Sequence, residues 1–307
     1  MMKINKILCP VDFFPASEKA VLYAAGLAAN YGAKVHLLHV VAPVVQTAYE
    51  YPLNLADIIK AMEEASAIEL EKLVTRLKAR GAKVESEVRV GDIQDMIQRS
   101  ISVVKPDLVA MGTHGRRGLG RWMMGSVTEW MMRHSPVPVL TISAKEGITE
   151  PAFRRILITT DFSEGAVDAL AYALSIAQAN KSRITLLHVI GHLEVEVPSS
   201  YRDALVKSVQ KQLDDLLPAN ARNRSDVAIR VEQGVPYRII LRILQNEKPD
   251  LLVMNIHDKG ILDRALLGST AERVVRAALC PVMLIPPMKK AQASPKPRRT
   301  KPVARLH

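Results

Sequence analysis

The sequence predicts two tandem copies of a doubly wound α/β domain, each built on a five-stranded parallel sheet. Three observations lead there. First, the chain repeats itself. KILCPVDFF at 6–14 resembles RILITTDFS at 155–163, and VHLLHVV at 35–41 resembles ITLLHVI at 184–190, both at an offset of 149. KPDLVAMGTH at 105–114 then matches KPDLLVMNIH at 248–257, and PVLTI at 138–142 matches PVMLI at 281–285, now at 143. The second copy is therefore the same unit, six residues shorter in its middle. Second, each copy alternates short apolar runs with amphipathic stretches of helical period, the pattern of a parallel sheet with right-handed crossovers and helices on both faces. Third, 307 residues suffice for two domains with real cores.

The elements of the first copy follow in order. Ile7–Val11 is a β-branched apolar run and reads as a buried strand. A helix follows over Ser17–Tyr31, where Ala20, Leu22, Tyr23, Leu27 and Ala28 share much of one face and Ser17 is a candidate cap. Val35–Val41 is a second strand. Ala56–Arg80 is a long helix closed by Gly81. Lys83–Val90 alternates as a third strand, and Ile93–Val104 is a helix stopped by Pro106. Leu108–Met111 is a fourth strand, Ser126–Arg133 a helix, and Val137–Ile142 a fifth strand. The second copy reads alike from Arg154 to Pro287, after a polar connection at Ala144–Ala152. The expected units are residues 1–147 and 153–288, followed by 289–307 as a basic tail.

Composition narrows the class. Aromatics are only 4%, so the cores must be aliphatic. Cys9 and Cys280 sit singly in apolar runs, with neither a disulfide framework nor metal-ligand spacing; buried reduced thiols in a reducing cytoplasm are expected. The N-terminal apolar stretch is broken by Asp12 and does not read as a signal peptide, and no run of about 20 apolar residues reads as a membrane span. The formal charge is +11, but Lys289–His307 holds seven Lys or Arg and no acid, leaving +4 for the rest. That tail reads as disordered. Its charge suits nucleic acid or an anionic surface, yet it has no aromatic to stack on a base, and a solvated extension is the simpler reading.

In sheets of this kind ligands bind outside the carboxyl ends of the strands. The informative segment lies there: MGTHGRRGLGRWMMGSV, Met111–Val127. Glycines recur from Gly112 to Gly125, and Arg116, Arg117 and Arg121 lie between them. Gly125-Ser126 opens a helix, whose free N–H groups and positive dipole end suit a phosphate. The spacing is neither GxxxxGK[ST] nor GxGxxG with a distant acid. Asp12, at the carboxyl end of the first strand, reads either as an acceptor for a nucleoside or as an acid favouring the next helix's dipole.

At this point the residues resemble a known family. Residues 1–288 resemble a tandem universal stress protein, whose signature G-x2-G-x9-G-[ST] falls on Gly112, Gly115, Gly125 and Ser126. The resemblance implies a Rossmann-like, adenine-nucleotide alpha hydrolase-like fold with strand order 3-2-1-4-5. It implies ATP, with or without Mg²⁺, as ligand. The adenosine end would fall to Pro10, Val11, Asp12 and Val41. Ribose and phosphates would fall to Met111, Gly112, His114, Gly115, Arg116, Gly125, Ser126 and Val127. It further implies that the copies pack as a pseudo-dimer through their fifth strands, that two chains associate, and that the protein is a nucleotide-responsive stress regulator with a protein partner. The second copy departs from the pattern: Asn255 and Asp258 replace the first two glycines, while Gly268, Ser269 and Asp161 remain. Side chains there take space the backbone needs, and Asp258 adds repulsion. ATP is expected in the first copy only.

Other features carry less. His39 and His188 match in position but have no ligand partners at metal spacing, so packed histidines are expected; His114 and His257 match within the loop. Met123, Met124, Met131 and Met132, with Trp122 and Trp130, form a soft apolar face that could serve as an interface. There is no GxSxG and no nucleophile–base set. That argues against a dedicated hydrolase. An enzyme cleaving or transferring phosphate from ATP remains the alternative, on fold-level analogy alone.

Overall fold

A computed structural model describes residues 4–43, 55–113, 124–143, 151, 153–191, 198–222, 226–256 and 268–287. The first copy runs β1 (Lys6–Val11), α1 (Pro15–Tyr31), β2 (Lys34–Val41), α2 (Leu55–Lys78), β3 (Lys83–Val90), α3 (Ile93–Val104), β4 (Leu108–Gly112), α4 (Ser126–His134) and β5 (Val139–Ile142). The second runs β6 (Arg155–Thr159), α5 (Glu164–Asn180), β7 (Arg183–Ile190), α6 (Ser199–Leu216), α7 (Ala219–Arg222), β8 (Val227–Gln233), α8 (Pro236–Glu247), β9 (Leu251–Asn255), α9 (Ser269–Ala277) and β10 (Val282–Ile285).

All ten strands form one sheet, ordered β3-β2-β1-β4-β5-β10-β9-β6-β7-β8. Each copy thus has the order 3-2-1-4-5, and every pairing within a copy is parallel. The copies join where β5 and β10 pair antiparallel, Thr141 opposite Val282 and Val139 opposite Leu284. This junction removes two edges, so that among the described residues β3 and β8 are the sheet edges. The central strands are buried and mostly apolar, with Thr141 in β5 and Asn255 at the end of β9 as exceptions, because helices cover both faces.

The helix starts differ from expectation in an instructive way. Ser17 is not the cap of α1; the helix begins two residues earlier on Pro15, whose missing N–H costs nothing at that position. Ser17 is buried instead, its hydroxyl donating to the Phe14 carbonyl and accepting from the Asp12 N–H. The fifth strand starts at Val139 rather than Val137, because the Ser135 hydroxyl and the Val137 backbone close a turn. The short α7 carried no sequence signal.

The two copies share their core. One cluster combines Tyr23, Leu27 and Ile7 of the first copy with Tyr172, Ile176 and Met283 of the second, with Phe153 between them. Phe153 is 1% exposed and its ring lies 6.2 Å from that of Tyr23. The connection is partly anchored: Pro151 stands so close to Gly26 that a Cβ there would come within 2.6 Å of the proline ring, and Asn30 donates to the Pro151 carbonyl. At the ends of α1 and α5, Tyr31 and Asn180, equivalent in the repeat, hydrogen-bond to each other at 2.8 Å. On the other face, Met124 and Met132 belong to a cluster otherwise made of second-copy residues such as Met254, Val274 and Leu284. Met131 and Trp130 instead pack in the first copy's own cluster, and Trp130 stacks on His134. The methionine face is therefore split, half of it serving the boundary within the chain. Trp122 and Met123 lie outside the described residues.

At the β3 edge, Glu87 accepts from Ser100 Oγ at 2.6 Å and from Arg89 Nε at 2.7 Å, with His36 Nε2 3.2 Å away. Burial alone raises its pKa, but the hydrogen bonds from Ser100 and Arg89, with the nearby His36 ring and the Arg89 charge, together hold it below the ordinary 4.5. A depressed carboxylate pKa stabilises the fold above the ordinary value, and that stabilisation is lost as pH falls through the folded one. Thermal melts from pH 7 down to about 3 should show a loss of stability that is smaller in Glu87→Gln; equal pH slopes in both proteins would exclude this carboxylate as a contributor.

Candidate functional site

The carboxyl end of β1 is turned sharply. Phe13 adopts φ +62°, a region that costs a bulky residue about 1–3 kcal/mol unless its surroundings hold it. Here the Phe13 ring lies 4.5 Å from the His39 ring, and His39 Nδ1 meets the Val11 carbonyl at 2.8 Å. The second copy repeats this device with Phe162 at φ +62° against His188, whose Nδ1 meets the Thr160 carbonyl at 2.8 Å. Both histidines are thus braces for the turn, as their lack of ligand partners suggested.

The turn presents Asp12, half-buried, at the rim. Its Oδ1 accepts from the Phe14 N–H at 3.1 Å, and among the described residues its Oδ2 accepts nothing. The helix-dipole reading and the ligand reading of Asp12 are therefore compatible: one oxygen serves the turn, and among the described residues no donor is placed on the other.

Gly112 ends β4 against the start of α1. A Cβ on it would lie 2.6 Å from the Ala16 carbonyl carbon and 2.8 Å from both Ala16 O and Ser17 N. These are backbone atoms that cannot rotate away, so only glycine fits. The Gly112 carbonyl accepts from Thr128 Oγ1 in the first turn of α4 at 2.8 Å, and the Gly125 N–H donates to the Thr113 carbonyl at 2.9 Å. The two ends of the glycine segment are thereby clamped together beside Asp12.

The helix α4 starts on Gly125, which has no side chain to cap it. Its first amides, on Ser126 and Val127, lack an intrahelical acceptor. By contrast α3 is capped by Asp92, which accepts from the N–H groups of Gln94 and Asp95 at 2.9 and 3.1 Å. As at α1, α5, α6, α8 and α9, no side chain caps the start of α4, so its first amides are left open.

The remaining expected site residues are placed as follows. Pro10 is half-buried on β1 beside Leu38 of β2. Val11, Val41 and Met111 are buried, so only their backbone is available at the rim. The Val41 carbonyl already accepts from the Gly91 N–H at 3.0 Å, which leaves it one lone pair. His114, Gly115 and Arg116 fall outside the described residues, as do Arg117, Arg121, His257 and Asp258. Cys9 and Cys280 are buried free thiols, and burial pushes the Cys9 thiol up. Among the described residues no three His, Cys, Asp or Glu side chains gather as a metal site, and no helix is long and apolar enough to cross a membrane.

The Universal stress protein family model matches residues 3–143 and again 152–286. The chain belongs to the universal stress protein family. It is 27% identical to a universal stress protein of Mycolicibacterium smegmatis over 292 residues, covering 92% of this chain and 97% of that protein. It is 26% identical to one from Mycobacterium tuberculosis over 303 residues, covering 91% and 95%. The solved structure of a universal stress protein from Archaeoglobus fulgidus shares the fold over 92% of this chain and 97% of its own, with a TM-score of 0.69 at 22% identity. The chain is thus a universal stress protein with two tandem domains in one continuous sheet. Its second copy diverges at the rim: sequence reading singled out Asn255 there, but missed that Gly165 faces it from α5.

Proposed function

We propose that this universal stress protein binds one adenine nucleotide, ATP with or without Mg²⁺, in the first domain, and acts as a nucleotide-responsive regulator in the cytoplasm rather than as an enzyme. The uncapped start of α4, clamped beside the open oxygen of Asp12, carries the reading. An acceptor for a nucleoside and free amides for an anion then stand at one rim. On this reading Asp12 and the Pro10–Val11 and Val41 backbone meet the adenosine. Gly112, Gly125, Ser126 and Val127, with Met111 backbone and His114, Gly115 and Arg116, surround ribose and phosphates. Mg²⁺ would arrive on the phosphates and take its other ligands from water.

The regulatory half of the reading rests on Met124. It directly precedes Gly125 and is packed in the cluster of second-domain residues. A phosphate that repositions the glycine segment would pull on that cluster, giving ATP a different affinity for two arrangements of the domains, which is the only way a ligand shifts an equilibrium. Association of two chains and a protein partner belong to the same proposal as downstream consequences, and the basic tail is read as a solvated extension.

The test is nucleotide occupancy: denature the purified protein after incubation with Mg-ATP and quantify released ligand by chromatography and mass spectrometry. About one ATP per chain, still ATP after many hours, is expected. No nucleotide would overturn the binding reading, and steady accumulation of ADP would replace the regulator with a phosphate-cleaving enzyme.

A further inference from the structure

The second domain keeps the carboxylate and the turn of the first but arranges them differently. Asp161 stands where Asp12 does, and its Oδ1 accepts from the Ser163 N–H at 3.0 Å and from Ser163 Oγ at 2.6 Å. Asn255 ends β9 where Gly112 ends β4. In the first domain strand end and helix start are in backbone contact. In the second the helix start stands off far enough that even a Cβ added to Gly165 would lie 3.8 Å from the Asn255 Cβ, an ordinary contact. The space so made holds the Asn255 carboxamide. Its Nδ2 donates to Ser163 Oγ at 3.0 Å and reaches both Asp161 oxygens at 3.4 Å.

We infer that Asn255 is a built-in occupant of the second nucleoside crevice: its amide nitrogen presents to Asp161 the hydrogen-bond donors that an adenosine would otherwise supply. The inference rests on the proposed role of Asp12 as nucleoside acceptor, and it goes further by naming what closes the second domain. The chemistry is one of substitution. A carboxylate at a rim accepts from amine or hydroxyl donors, and a carboxamide –NH₂ is such a donor, already tethered and therefore free of the entropy a separate ligand loses on binding. An incoming nucleoside must first displace this amide from Asp161 and Ser163, so its own contact with the carboxylate is offset by the ones it breaks. The exclusion is thus local to the adenosine corner and does not depend on the charge of Asp258.

Adenosine is the discriminating probe, because it carries no phosphate and so tests the nucleoside corner without the charge interactions of a polyphosphate. Equilibrium dialysis of the full chain should find one adenosine per chain in the parent and two in Asn255→Gly, with second-site affinity raised about tenfold or more, the worth of one hydrogen bond to a charged acceptor. Adding Asp161→Ala should remove the second site again. Asn255→Ala, which keeps a Cβ the site already accommodates, serves if the glycine variant is unstable. One adenosine in a folded Asn255 variant overturns the inference, as does a parent that already holds two. No adenosine in parent or variant removes the nucleotide reading and this one with it. None in the parent but one in Asn255→Gly sinks only the first-domain reading.

Discussion

Gly112→Ala is expected to destabilise the protein by about 1–3 kcal/mol and to abolish ATP binding in the same variant. The added methyl would sit 2.6–2.8 Å from three backbone atoms of α1, so the helix must back away from β4 by roughly an ångström to admit it. That shift moves the Asp12 turn, because Ser17 of α1 is hydrogen-bonded to both the Asp12 N–H and the Phe14 carbonyl. It also disturbs the Gly112 carbonyl that receives Thr128 from α4. One methyl group therefore loosens the carboxylate and the helix start proposed to bind the phosphates together. Urea unfolding measures the first effect and ATP occupancy the second. A variant as stable as the parent would show that α1 and β4 are not in rigid contact. A destabilised variant that still carries ATP would show that the rim geometry does not govern binding.

Phe153→Ala should lower stability by about 3–5 kcal/mol, the usual loss for truncating a fully buried aromatic. Phe153 lies between the two copies, buried in the cluster that both contribute to, with its carbonyl receiving the Ser182 hydroxyl of the second copy. The prediction is therefore also about cooperativity. Because the core and the β5–β10 pairing cross the boundary, the parent should unfold in urea as one transition, and the variant should lose stability at that junction. Two well-separated transitions in the parent, with Phe153→Ala shifting only one of them, would mean that each copy stands alone.

Much of the fold is legible in the residues. Strands buried on both faces show as unbroken apolar runs, and α3 and β3 lie at the expected boundaries because Asp92 caps one and Gly91, at φ +149°, ends the other. The start of α1 is less legible. Ser17 is a good capping residue by type, but the chain uses its hydroxyl to lock the Asp12 turn, and Pro15 takes over the start. The site divides in the same way. Asp12, Gly125 and Ser126 are visible by type and spacing, whereas the reason for Gly112 is a long-range contact with Ala16, 96 positions earlier, that no local pattern encodes.

The sequence by itself determined the repeat, the order of elements in each copy and the family, because each of these follows from local spacing of apolar, glycine and capping residues. Only the tertiary structure decided that the fifth-strand packing implied by the resemblance is an antiparallel pairing making one sheet over a shared core, that Met124 and Met132 pack with the second copy while Met131 stays in the first, and that Asn255 turns back onto Asp161. The physical reason is that these outcomes depend on which surfaces meet across about 90 to 140 residues of chain. Such meetings are chosen by the fit of whole faces, not by any neighbouring pair of residues.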